Sequence, residues 1–193
     1  INLLKRLESS VYAFRLTIGR ILALIQCRLK EIEAFERNPS DSRVIRMKAL
    51  EIRDWDGDDQ NEDAFVSGRT RPIKLAEMDR LSWKQDLEAD AAVLSGLLEA
   101  VGKITPEHDT KLQALLRLID EKAAHPINPG NKKMLIFSAF SDTADYLYEH
   151  VSRHAKARLG LETAEITGSQ EGKTTVPGLR ADFNQVLTAF SPI

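Results

Sequence analysis

The sequence predicts a mainly α protein with a partial α/β unit toward its carboxyl end. Apolar residues recur in steps of three and four over residues 2–37 and again over 82–124, which is the pattern of amphipathic helices. A short apolar run at 134–137 is followed directly by residues that start helices. Such a run suits a strand buried on both faces, so we expect a strand that leads into a helix.

The composition favours an ordinary globular chain of one or two domains. The chain has 193 residues, with 27 Lys and Arg against 29 Asp and Glu. This near-neutral balance argues against a generally basic nucleic-acid binder but leaves a local basic strip open. The single Cys27 excludes an intramolecular disulfide framework and a cysteine zinc site, and its apolar neighbours predict a buried thiol. No apolar run approaches the roughly 20 residues of a membrane span, and no signal peptide is visible, so we expect a cytoplasmic protein.

Residues 1–53 are predicted to form a long helical arm. The stripe over 2–37 contains no Pro, Gly19 is its one weak point, and at about 1.5 Å per residue it would span roughly 50 Å. Such a length exceeds what a small core can cover, so the arm is expected to pack on a partner helix or on a second copy of the chain. Residues 41–53 are predicted to add a short helix.

An acidic linker is predicted at 54–71, followed by a helical hairpin at 72–130. The alternating carboxylates of the linker do not match a calcium loop, because Gly57 is misplaced and Phe65 stands where a bidentate Glu should be. The first hairpin helix is expected at 82–104 with a capping box, and the second is expected to begin at Thr105 with Pro at its first helical position. His108 and His125 have no metal-ligand spacing and are predicted to lie on the surface.

The region 131–193 carries the predicted α/β unit. Ser141 or Asp142 is expected to cap a helix running to about residue 158, and Gly160 is expected to end it. A second strand is predicted at 163–167, laid parallel to the first by a right-handed crossover. A last helix is predicted at 177–190. In such units the functional residues follow the carboxyl ends of the strands.

The same stretch resembles motif IV of superfamily 2 helicases, where the second RecA-like lobe begins, and bacterial Swi/Snf-type helicases in particular. The matching residues are Lys133, Leu135, Ile136, Phe137, Ser138, Phe140, Asp142, Thr143, Ala144, Tyr146 and Leu147. Residues 4–10, with Phe14 and Arg15, resemble the segment that joins the two lobes in those proteins. The resemblance implies that residues 131–193 are the first part of a RecA-like lobe, an incomplete βαβα.

Four residues are candidate nucleic-acid contacts on this resemblance: Ser138, Phe140, Thr167 and Gly168. Residues 166–168 resemble the "TG" block of the family, whose strand ends touch the sugar–phosphate backbone. The next "R…F" helix of the family resembles residues 179–190, but its spacing is longer here, which leaves the role of Arg180 open. The competing interpretation of Ser138 and Thr167 is a hydroxyl that satisfies a local turn.

The resemblance implies that the parent protein hydrolyses ATP with Mg²⁺, whereas this chain contains no Walker A motif, acid pair or arginine finger. Residues 168–174 imitate a P-loop, but only three residues separate Gly168 and Gly172 where four are needed. We therefore expect a catalytically inactive fragment of a longer DNA helicase or translocase, with no cofactor of its own. The rival class is a helical protein-interaction module with no nucleic-acid role.

Overall fold

A computed structural model describes residues 3–38, 44–48, 70–168 and 171–191. It is mainly helical, as the sequence predicts. Its helices are α1 (Leu3–Ser9), α2 (Val11–Arg37), α3 (Arg80–Gly102), α4 (Thr110–Ala124), α5 (Ser141–His154) and α6 (Phe183–Phe190). Its strands are β1 (Val44–Lys48), β2 (Thr70–Lys74), β3 (Ala164–Glu165) and β4 (Lys173–Thr174). No helix within these ranges has both the length and the apolar character needed to cross a bilayer.

The chain divides into two compact units. The described residues of the first are Leu3, 14–38, 44–48 and 70–103, and those of the second are 4–13, 104–168 and 171–191. The predicted acidic linker 54–71 lies outside the described residues except for its last two positions, which belong to β2. The domain boundaries expected from the sequence therefore stay predictions.

The core of the first unit joins α2 to α3. Ile32, Phe35 and Leu75 are buried together, and Met78, Trp83 and Leu87 pack partly buried against them. The predicted stripe of α3 is its half-buried face. Its members are Trp83, Leu87, Ala91, Leu94, Leu98 and Val101.

Two helices of the arm and the hairpin begin differently from the prediction. The stripe of 2–37 is broken at Ser10, whose Oγ accepts from the amide of Ala13 and so starts a new helix. The helix α3 is capped by Asp79, which accepts from the Ser82 amide, and not by a capping box that begins at Ser82. The Asp79 carboxylate accepts from one of the unpaired amides of the first helical turn, so the helix begins before Ser82.

The second hairpin helix also begins later than expected. Thr105 and Pro106 form a separate turn, and α4 starts after Asp109, which accepts from two amides of its first turn. His108 and His125 are exposed, as predicted, whereas Cys27 is exposed and not buried. The cysteine lies on the face of α2 opposite the stripe, so its apolar sequence neighbours do not cover it.

The short helix predicted at 41–53 is wrong over 44–48. These residues form β1, which pairs antiparallel with β2 in the register Val44 to Lys74 and Lys48 to Thr70. The partner strand β2 lies 22 or more residues away in sequence, so local periodicity does not predict the pairing. Here the pairing outweighs local helix propensity.

The predicted parallel strand pair is also wrong. Residues 134–137 form no strand, and β3 pairs antiparallel with β4 in a small hairpin. A strand needs a hydrogen-bonding neighbour, and none of the other described residues supplies one to 134–137. The last helix, α6, begins at Phe183 and not at Pro177, because Asp182 caps it by accepting from Gln185.

The helix that follows the apolar run is close to its predicted bounds. It starts at Ser141 with Phe140 as its N-cap residue, so neither Ser141 nor Asp142 caps it. One wide turn, Ala155–Leu159, extends it to Gly160, which takes the left-handed conformation at φ 64° and ends the helix as expected. Val151 is buried, whereas Phe183 and Leu187 of α6 are exposed.

Candidate nucleic-acid interface

A cleft of about 390 Å³ lies in the second unit, and it contains the residues singled out by the resemblance. We call it the Ser138/Thr167 cleft. It is lined by residues 136–141, by residues 163–168 and by one face of α5. The lining face of α5 consists of Ala144, Leu147, Tyr148 and Val151.

All four predicted contact residues line this cleft, although the strands expected to carry them differ from the prediction. Ser138 and Gly168 are exposed, and Phe140 and Thr167 are half-buried. The chain thus brings together two segments that lie about 30 residues apart in sequence. That juxtaposition was expected from parallel strands, and it arises here without them.

The hydroxyls of Ser138 and Thr167 differ in their hydrogen bonding. The hydroxyl of Ser138 donates to the carbonyl of Phe140 at 3.0 Å and accepts from its amide at 3.3 Å. It therefore satisfies a local turn, as the competing interpretation held. The hydroxyl of Thr167 makes no hydrogen bond within the described part of the chain. Of the two, Thr167 is the side chain ready to accept or donate to a ligand.

The start of α5 is held by residues of α1. Arg6 forms a buried ion pair with Asp142 at 3.0 Å, and its guanidinium lies 4.8 Å from the ring centre of Phe140. Thr143 Oγ1 lies 2.8 Å from Ser9 Oγ and 3.2 Å from Ser10 Oγ, within hydrogen-bonding distance of both. Residues 4–10 and the motif IV-like stretch are therefore in direct contact within the second unit.

A second set of contacts fixes the middle of α5. The ring of Tyr146 stacks on that of Tyr12 at 4.9 Å, and its hydroxyl donates to Asp109 at 3.0 Å. Sequence reasoning did not identify Arg6, Asp109 or Asp142 as a positioning group. Asp142 was considered only as a helix cap, and Arg6 only as part of a resembling stretch, because a single sequence does not show which distant charges form a pair.

Asp145, Glu165 and Lys173 form a charged group beside the cleft. Glu165 is 8% exposed, and burial raises the pKa of its carboxyl, with the charge of Asp145 raising it further. Lys173 contacts Asp145 and lies 3.2 Å from Glu165 Oε2, which opposes that rise. Burial alone would lower the pKa of Lys173, but its two carboxylate partners raise it above the ordinary value.

This group does not face the Ser138/Thr167 cleft. Asp145 and Lys173 line a second pocket, together with Tyr12, Tyr146 and Tyr148. Both carboxylate oxygens of Glu165 are buried, so a ligand in the cleft does not reach them. A phosphate in the cleft would meet Ser138, Thr167 and Gly168.

The described part of the P-loop-like segment, residues 168 and 171–174, does not form a phosphate cradle. Lys173 and Thr174 form β4, and the next helix begins only at Phe183, whereas a phosphate site places its Lys at a helix start. Gly172 is tightly packed, since an added Cβ would lie 2.8 Å from Ile166 Cδ1 and 3.0 Å from the Glu165 carbonyl. These residues therefore do not fit ATP. No group of three or more His, Cys, Asp or Glu side chains arranged for a metal ion occurs in the described ranges.

Comparison with known proteins found no match: no family model, no curated protein and no solved structure is similar to this chain.

Proposed function

We propose that this chain is part of an ATP-dependent DNA helicase or translocase of the Swi/Snf-like branch of superfamily 2. It contributes the inter-lobe helices and the motif IV region of the second RecA-like lobe. One observation carries the proposal: Ser138, Phe140, Thr167 and Gly168, chosen from two separate resembling segments, line one cleft. The contact of Arg6 with Asp142 adds support, because it joins the two longer resembling stretches.

The cleft rim is a backbone contact in this proposal. The free hydroxyl of Thr167 meets a phosphate, and Gly168 lets the chain approach it closely. Because few charges are neutralised, binding by this chain alone is weak, has a shallow salt dependence and does not depend on base sequence.

The parent protein binds ATP and Mg²⁺ through residues outside this chain and acts in the cytoplasm. Residues 131–193 are the beginning of its RecA-like lobe, and residues 134–137 become a strand when neighbouring strands supply hydrogen-bonding partners. Phe14, Ile18 and Ile32 of the helical arm 2–37 are already buried, so a partner helix or a second copy of the chain would meet the rest of the arm.

The first experiment measures binding of this chain to fluorescein-labelled single-stranded DNA by anisotropy. Thr167→Ala removes the free hydroxyl, so we expect Kd to rise about two- to tenfold, the range for one lost hydrogen bond. Thr188→Ala, on the exposed surface of α6, is the matched control and should leave Kd unchanged. Equal Kd values for the wild type and Thr167→Ala would refute the contact.

The second experiment uses the parent protein. Thr167→Ala should lower the DNA-stimulated ATPase rate while DNA-free turnover is nearly unchanged, because the site contacts DNA and not the nucleotide. If the curves of rate against DNA concentration superimpose, Thr167 is a structural turn residue. Absence of DNA binding by the parent would favour the rival class, a helical interaction module.

A further inference from the structure

The second pocket of this unit, which lies beside α5, combines aromatic rings with charged side chains. Its volume is about 580 Å³, and we call it the tyrosine pocket. Its lining includes three rings and three charged groups from α2, α5 and β4: Tyr12, Tyr146, Tyr148, Asp145, Glu149 and Lys173. All of these residues belong to the second unit. The DNA contact proposed above does not use this pocket.

The aromatic rings of the tyrosine pocket are held in place by their neighbours. The rings of Tyr12 and Tyr146 are nearly parallel, with their centres 4.9 Å apart, and Tyr146 is 7% exposed. The hydroxyl of Tyr146 donates to Asp109. The face of an aromatic ring carries partial negative charge, so a pocket lined by three rings attracts cations and repels anions.

The tyrosine pocket already holds an ammonium group of the chain itself. Lys173 Nζ lies 5.8 Å from the centre of the Tyr148 ring, within the range of a cation–π interaction, and it contacts the carboxylate of Asp145. This side chain shows that the combination of a ring with a carboxylate accepts an alkylammonium. The 580 Å³ of the pocket remain beside Lys173, which leaves room for another cation.

The carboxylates of the pocket favour such a cation. Lys173 is shared between Asp145 and the buried Glu165, with Nζ 3.2 Å from Glu165 Oε2, so it neutralises Asp145 only in part. Glu149 pairs with Arg153 at 3.2 Å, but the two side chains are 62% and 70% exposed. An exposed pair contributes little to stability, so Glu149 can turn to an incoming cation at little cost.

These features select among ligands. A phosphate or a carboxylate would meet Asp145, Glu149 and the rings, all of which repel it. A neutral ligand would leave the two carboxylates unused. An unmethylated ammonium is strongly hydrated and loses that hydration among aromatic rings, whereas a methylated one presents apolar methyl groups that carry the positive charge.

We propose that the tyrosine pocket binds a trimethylammonium group, which is carried by a methylated lysine side chain or by a free ligand of the choline type. The methyl groups lie against the rings of Tyr12 and Tyr148, and the positive charge faces Asp145 and Glu149. The proposal is independent of the DNA contact, because Thr167 lines the Ser138/Thr167 cleft and not this pocket.

The test is an NMR titration of the whole chain with choline, followed through backbone amide shifts. The matched ligand is its neutral isostere 3,3-dimethylbutan-1-ol, which has carbon in place of the charged nitrogen. We expect the isostere to bind about three- to thirtyfold more weakly, because it loses the cation–π and carboxylate contacts. No saturable shift, or equal binding of choline and the isostere, would overturn the proposal.

A peptide with one trimethyllysine distinguishes the two sources of the cation. Tighter binding than that of choline identifies a protein side chain as the ligand, and equal or weaker saturable binding identifies the free cation. Both results support the trimethylammonium site. A peptide with unmethylated lysine that binds as tightly as the trimethyllysine peptide would overturn the preference for methyl groups.

Variants of the pocket give a second measurement. Tyr148→Leu removes a ring and Glu149→Gln removes a carboxylate, so each should weaken choline binding. Phe183→Leu, at an exposed aromatic position of α6, is the matched control and should leave the affinity unchanged. Arg153→Gln releases Glu149 and should strengthen binding, which a merely structural role would not produce. Wild-type affinity in both the Tyr148 and the Glu149 variants would overturn the assignment.

Two controls keep the outcome clear. Circular dichroism checks that the variants fold, and the comparison of choline with its isostere on the wild-type chain stands if Tyr148→Leu does not fold. Thr167→Ala should bind choline normally, so failure of the DNA proposal and failure of this one are distinguishable. Choline binding that Thr167→Ala abolishes would overturn the proposed position of the ligand.

Discussion

Arg6 and Asp142 form an ion pair that is buried on both sides. Arg6 Nη1 lies 3.0 Å from Asp142 Oδ2, and the two side chains are 4% and 9% exposed. The residues are 136 positions apart in sequence, so the contact ties α1 to the start of α5 within the second unit. A buried ion pair adds little to the free energy of unfolding, because removing both charges from water is costly. Removing one partner destabilises the protein strongly, because the other charge stays buried.

Removing the carboxylate should therefore destabilise the protein strongly. We expect Asp142→Ala to lower the free energy of unfolding by about 3–5 kcal/mol, because a buried guanidinium loses its counter-charge. Glu149→Ala is the control, since it breaks the exposed pair with Arg153 and should cost under about 0.5 kcal/mol. Urea denaturation measures both. Similar small losses for the two variants would show that the Arg6–Asp142 pair is solvated.

The core of the first unit should depend on Leu75. This side chain is 0% exposed and packs with Ile32 and Phe35, so Leu75→Ala should cost about 2–5 kcal/mol. Leu81→Ala, at a position 67% exposed, is the control and should change stability by less than about 0.5 kcal/mol. Thermal and urea unfolding measure both variants. A decrease in the free energy of unfolding of less than about 1 kcal/mol for Leu75→Ala would show that Leu75 is not buried in this core.

Glu165 should make stability fall as pH rises. Its pKa in the folded protein is raised above 4.5, so the folded state holds this proton more tightly than the unfolded state. Its contribution is complete below pH 4.5 and is lost as pH rises through the raised pKa. Glu165→Gln should remove this part of the profile of urea midpoint against pH.

Glu162 provides a control of opposite sign for the same profile. Its pKa is lowered, first by a hydrogen bond with Thr175 and also by Lys156, so its contribution is present above pH 4.5 and is lost as pH falls through the lowered pKa. Glu162→Gln should therefore change only the acid limb. A Glu165→Gln profile that matches the wild type would disprove the burial of Glu165.

Gly172 should not tolerate a side chain. A Cβ at this position would collide with the carbonyl of Ala181 and lie 2.8 Å from Ile166 Cδ1, so Gly172→Ala should cost about 1–3 kcal/mol. Gly96 in α3 has no atom within 4 Å of such a Cβ, and Gly96→Ala should stabilise the protein by about 0.5–1 kcal/mol through higher helix propensity. Denaturant titration measures the free energy of unfolding of both variants. The same change for Gly172→Ala and Gly96→Ala would refute the close packing of Gly172.

This chain alone should not hydrolyse ATP. Lys173 lies in a strand and pairs with Asp145 and Glu165, so it is not available to a nucleotide phosphate. Phosphate release, measured with and without DNA, should equal that of Lys173→Ala. Turnover above this control would restore the P-loop interpretation of residues 168–174.

Features that depend on near neighbours can be predicted from the amino-acid sequence alone. The stripe of α3, the helix that follows residue 140 and the stop at Gly160 follow from helical periodicity and from the conformational freedom of glycine, which act over a few residues. The resemblance also selected Ser138, Phe140, Thr167 and Gly168, which line one cleft.

Features that depend on distant partners became visible in the folded chain. The pairing of β1 with β2, the antiparallel partner of β3 and the contact of Arg6 with Asp142 join residues far apart in sequence, and their energies come from groups that no local pattern displays. Residues 134–137 have the composition of a buried strand, yet Leu135, Ile136 and Phe137 are exposed. Composition supplies the side chains of a strand, and only a neighbouring backbone supplies its hydrogen bonds.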